Sequence, residues 1–93
     1  MSDLHMNTEA ARNVVNTLSK AGETIEGELN NLRGQIGNLV DTDWRGQSAT
    51  QFREEFQSLD QSIQSILGSL DNLQTQLNYE ISAWESVAGG FRN

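Results

Sequence analysis

Two long apolar patterns with helical spacing flank a short polar segment at the middle of the chain. In the first, Ala11, Val15, Leu18, Gly22, Ile25, Leu29, Leu32, Ile36 and Leu39 follow one another in steps of four and three. In the second, Ala49, Phe52, Phe56, Leu59, Ile63, Ile66, Leu70, Leu73 and Leu77 keep the same alternation. Such steps return to one face of a helix every two turns, so each run predicts an amphipathic helix with a heptad seam. Val14, Ala21 and Val40 widen the first seam and Leu67 the second, while Arg12, Glu23, Glu26 and Arg33 lie off it. Neither run contains a proline.

The boundaries follow from local chemistry. Asn7 or Thr8 can cap the first helix, with Glu9 in its first turn and Met6 and Ala11 placed as a hydrophobic staple. Helix 1 is expected over about residues 8–40. Asp41, Thr42 and Asp43 then compete with helical backbone bonds through their own side chains. Trp44 is the one large apolar group of this polar segment, a plug for the end of the core or a recognition group. Gly46 allows a backbone conformation closed to other residues. The turn is expected over 41–48, and Ser48 with Gln51 fits a capping box opening helix 2 over about 49–88. Near its end the register slips: Glu80 stands where an apolar residue is due, and Ile81, Trp84 and Ala88 continue one position later. At Gly89-Gly90 the helix is expected to fray or stop and leave 89–93 as a tail.

The glycines weaken the first helix. Gly27 and Gly34 fall opposite the seam, each costing about 1 kcal/mol relative to alanine. Gly22 lies on the seam, where closer packing or a slight bend is expected. Tertiary packing must therefore hold the helix. Two helices of about 33 residues, each roughly 50 Å long, joined by a short connection, predict an all-α fold of one domain over 1–93: an antiparallel helix–turn–helix hairpin. A lone hairpin leaves Val14, Ala21, Leu67 and Ile81 partly wet. Pairing two hairpins into a four-helix bundle would cover them.

Composition narrows the function. Thirteen acidic against six basic residues give a net charge of −7 over 93 residues, which argues against nucleic acid and against an anionic membrane surface. Without cysteine there is no disulfide or thiolate ligand. His5 is the single histidine and has no metal-ligand or nucleophile partner near it in sequence. Glu54 and Glu55 are adjacent on a helix and so do not face each other as an acid–base pair. No phosphate loop, metal spacing or Ser-His-Asp set is present. The expectation is a protein that is not an enzyme and carries no cofactor and no metal. Met1 to Met6 lacks the basic and apolar regions of a cleavable signal peptide, and no run reaches the roughly 20 apolar residues of a membrane span.

Trp44-Arg45-Gly46 in the turn of a proline-free hairpin of this length resembles the WXG family, the small substrates of the type VII (early secretory antigen-type) secretion system of bacteria. The central placement and the flanking heptads carry the likeness, which covers nearly the whole chain. The resemblance implies a homodimer or a heterodimer with another WXG protein, built as a four-helix bundle. It implies synthesis in the cytoplasm and export without a cleaved signal peptide, through a machine driven by an FtsK/SpoIIIE-type ATPase. The role would be that of export partner for a larger co-secreted substrate, or of effector. Trp44 and Gly46 would form part of the export-recognition surface.

The family's C-terminal signal is a tyrosine followed four residues later by Asp or Glu. Here Tyr79 is followed at that distance by Ala83. The chain is then the half of a heterodimer that lacks the signal, or a homodimer that uses another tail feature. Tyr79, Trp84 and Phe91 are the candidates, with end-of-bundle packing the alternative for Trp84. Two other classes fit a helical hairpin: a needle or filament subunit, whose turns usually carry prolines, and an intracellular coiled-coil adaptor.

Overall fold

A computed structural model describes the backbone of residues 5–92 and the side chains of residues 5–87. The chain is an all-α helical hairpin. Helix α1 spans Thr8–Asn38, a π-helical turn follows over Leu39–Asp43, and helix α2 spans Gln47–Arg92.

Of the two candidate caps, Asn7 is the one that opens α1. Its Oδ1 accepts the Ala10 N–H at 3.0 Å and its carbonyl accepts the Ala11 N–H at 3.0 Å. The side-chain bond satisfies one of the donors that a helix start leaves unpaired, and the carbonyl bond is the first of the helix itself. Met6, just before the cap, packs against the cluster containing Ala11, as a staple requires. At the other end of the chain the expected stop at Gly89-Gly90 does not occur, since helical backbone runs to Arg92. Two glycines at about 1 kcal/mol each weaken a helix that is already propagating but do not break it.

The fold divides into two compact units, Met1–Gly22 with Ser69–Asn93, and Glu23–Gly68. In the first, Ala11, Val15 and Ile81 form the buried core, with Leu77 and Met6 packed against it. Arg12 and Glu85 form an ion pair across the two helical segments. Ile81, expected to stay partly wet, is only 3% exposed. Once Glu80 occupies the position due to an apolar residue, Ile81 turns inward, and the small side chains of Ala11 and Val15 leave room for it. Gly22 shows no close approach, because a Cβ built there meets nothing within 4 Å.

In the second unit Leu29 is the most deeply buried side chain, and Val40 and Ala49 close the core next to the turn. The ion pairs Arg33–Asp60 and Asp41–Arg53 fix the antiparallel register: as the number rises on one segment it falls on the other.

The seam read as one line is two rows. In the second unit Phe56 and Ile63 are half-buried, whereas Phe52, Leu59 and Ile66 are exposed. In the first, Leu70 and Leu77 are half-buried and Leu73 is exposed. Steps of three and four alternate between two neighbouring rows, and one facing helix covers only one of them.

Candidate functional site

The break between the helices is Trp44-Arg45-Gly46, shorter than the eight residues of the expected turn. The chain does not leave the helix at Asp41. It widens into the π turn, and the Trp44 N–H donates to the Leu39 carbonyl at 2.7 Å. An i→i+5 bond of this kind is characteristic of a π turn and is frequent at functional positions. Trp44 then takes extended backbone, with φ −144° and ψ 115°.

Gly46 has φ +117°, a conformation that strains any side-chain-bearing residue. Its carbonyl accepts the Thr50 N–H at 3.2 Å and the Thr50 Oγ1–H at 3.3 Å. Helix α2 therefore starts at Gln47, and Ser48 is already inside it instead of serving as the expected cap. The reason is geometric. The extended Trp44 and the positive φ of Gly46 complete the reversal by residue 46, so the helix begins before Ser48 can take the non-helical conformation of a cap.

The side chains about the turn sort by chemistry onto two grooves. Trp44 is half-buried, with its ring centroid 5.5 Å from that of Phe52 at a tilt of 51°. This tilted contact lies within the range aromatic pairs prefer. The two rings belong to a groove of about 480 Å³ whose rim carries Glu54 and Glu55. A second groove of about 270 Å³ is lined by Val40, Ala49, Arg45, Arg53 and Asp41. Arg53 and Asp41 pair there, which ties the π turn to the second turn of α2. The tryptophan is thus neither the buried end of the core nor a loose surface ring. Val40 and Ala49 close the core, and Trp44 lies on Phe52.

Further along this unit Arg33 and Asp60 carry a network that the sequence pattern does not disclose. Arg33 donates through Nε to Asp60 Oδ2 at 2.7 Å and through Nη2 to Oδ1 at 2.8 Å. Its Nη1 donates to Asn30 Oδ1 at 2.8 Å, and Gln64 Nε2 donates to Asp60 Oδ1 at 2.9 Å. The bond from Arg33, then that from Gln64, hold the Asp60 carboxyl down to about 2, against partial burial that pushes the other way. The same pair raises the Arg33 guanidinium above its ordinary value. Arg33 lies off the apolar seam, and only the fold-back about Trp44–Gly46 sets it against Asp60.

The other predicted residues fall as follows. Val15 and Leu29 are buried; Leu18, Ile25, Ile36, Phe56, Ile63, Leu70 and Leu77 are half-buried. Leu32, Phe52, Leu59, Ile66 and Leu73 are exposed. Tyr79 is 72% exposed, and Trp84 is half-buried. The side chain of Phe91 lies outside the described residues. No helix of the described residues is long and apolar enough to cross a membrane.

The family of WXG100 proteins, proteins of 100 residues with WXG, matches residues 3–85. No curated protein matches the chain. No solved structure matches it either.

Proposed function

The chain belongs to the WXG100 family, small helical secreted proteins and not enzymes, and from that premise we propose that it is a dimeric substrate of a type VII secretion system. It pairs with a second WXG chain, identical or related, in a four-helix bundle. It presents Trp44 to an FtsK/SpoIIIE-type secretion ATPase and leaves the cell as export partner for a larger substrate or as an effector.

The observation that carries this reading is the way Trp44 is held. The hairpin core is closed by Val40 and Ala49 without it, so the indole is available for recognition. The i→i+5 bond on one side and the positive φ of Gly46 on the other position it against Phe52. A half-buried aromatic pair on a fixed turn is the type of anchor that binding surfaces use. Pairing is supported by the exposed leucine, isoleucine and phenylalanine side chains in both units, which a single hairpin leaves in water. Tyr79, with 72% of its surface exposed, is available as a C-terminal recognition residue even though no acid follows at the family spacing.

Export of Trp44→Ala into the medium, in a strain with a working type VII apparatus, is the test. The expected result is loss of export with helicity and dimerisation retained. Unchanged export would reduce Trp44 to a packing role. Sedimentation at micromolar concentration, alone and with a candidate partner, tests the pairing, and a well-folded monomer in both cases would contradict it.

A further inference from the structure

Glu80 stands in an apolar row. On α2, Leu73, Glu80 and Val87 recur every seven residues and share one side of the helix. Leu73 and Val87 are each 52% exposed. Glu80 and Gln76 line a groove of about 340 Å³ together with Val14, Leu18, Leu73 and Leu77. Among the described residues none of the ion pairs engages Glu80, although Glu85, five residues on, is held by Arg12.

From this we propose that the groove receives a helix of a different chain, one that fills it with apolar side chains and sets a Lys or Arg against Glu80. The proposal rests on the reading that the exposed rows are docking faces, and it adds which partner they select. A helix laid over Val14 and Leu73 removes water from the Glu80 carboxylate, and a carboxylate so covered costs free energy unless a cation meets it. A neutral or acidic partner is therefore penalised, while a basic one is both accepted and steered in.

A second copy of this chain is a poor source of that cation. Each copy carries a net charge of −7 and a Glu80 of its own. Of the basic residues whose side chains are described, Arg12, Arg33 and Arg53 already hold carboxylates. Lys20 falls seven residues before Gly27, on the row opposite the apolar seam, and Arg45 lines the groove that contains Asp41.

Synthetic amphipathic helices about three heptads long, identical except for Lys, Leu or Glu at one central position of the apolar face, serve as probes. Each is titrated by fluorescence anisotropy with the full chain and with Glu80→Gln. The Lys probe should bind about tenfold more tightly than the Glu probe. That gap should shrink with salt and close in the variant. Equal binding of the Lys and Glu probes, or a gap that survives Glu80→Gln, overturns the role of Glu80 while leaving the docking face standing. No binding by any probe overturns the docking face as well. In sedimentation, Glu80→Leu completes the row and should self-associate about tenfold more tightly than the natural chain. A natural homodimer as tight as that of the variant overturns the choice of a different chain.

Discussion

Arg33 and Asp60 meet as a two-point ion pair, 27 positions apart in sequence, with contacts of 2.7 and 2.8 Å. The Asp60 side chain is 16% exposed and that of Arg33 39%. Water therefore weakens the attraction, but the paired geometry fixes which residue of one helical segment faces which residue of the other. Slippage by one residue would lose both contacts, while the Gln64 bond, made within α2 itself, would stay.

The depressed Asp60 carboxyl makes this pair visible in acid. Its value in the folded chain is about 2 against an ordinary 3.8. The ionised form is favoured by folding, so the contribution is complete above about pH 4 and disappears as pH falls through about 2. Urea unfolding between pH 5 and pH 2 should show Asp60→Asn starting less stable than the natural chain and losing less on acidification. Arg33→Ala should behave the same way, and the double variant should be less damaged than the sum of the two. Parallel pH profiles for the natural chain and Asp60→Asn would mean that the pair contributes nothing.

Glycines of the same chain should respond in opposite directions to alanine. Gly46→Ala forces a side chain into φ +117° and should cost about 1–3 kcal/mol. Gly27 and Gly34 are helical, and a Cβ at either meets nothing within 4 Å. Gly27→Ala and Gly34→Ala should each stabilise by up to about 1 kcal/mol. Urea midpoints read both effects. A stabilising Gly46→Ala would show that the turn relaxes into another conformation.

Phe52 is placed to hold Trp44. Phe52→Leu retains an apolar side chain but removes the ring 5.5 Å from the indole, an interaction of about 1 kcal/mol. In a Trp84→Phe background, where Trp44 is the single tryptophan, its selectively excited fluorescence should move to longer wavelength as the indole gains solvent. Export should fall, though less than in Trp44→Ala. An unchanged spectrum would mean that the indole is positioned by the backbone alone.

The two helices, their antiparallel return and the central position of the turn are legible in the heptad spacing, because alternating steps of three and four leave few other ways to bury Val15 or Leu29. The details of the turn are not. Side-chain competition at Asp41–Asp43 pointed to an early stop, but the backbone continues to Asp43 through a wider π turn, and the extended Trp44 with the unusual φ of Gly46 reverses it. The Arg33–Asp60 network is hidden for a different reason: hydrophobic periodicity says which face a residue is on, not which charge arrives opposite it. Likewise the spacing of Phe52, Phe56, Leu59 and Ile63 reads as one seam, since sequence alone does not tell a row covered by the chain itself from a row left for another.

That division between rows leads to a pair of truncations on α2 with opposite readouts. Ile81 is 3% exposed within the Ala11–Val15 core, and Leu73 is 52% exposed on the side shared with Glu80. Ile81→Ala removes buried methyl groups from a small core and should cost about 2–4 kcal/mol in urea unfolding. Leu73→Ala removes surface that water already reaches, so unfolding measured under monomeric conditions should change by no more than about 0.5 kcal/mol. In the presence of a partner the order should reverse. Leu73→Ala should weaken association by about tenfold, because its side chain is buried only when another helix covers it. A chain that stays folded with Ile81→Ala but loses stability with Leu73→Ala would show that the roles of the inward and outward rows are exchanged.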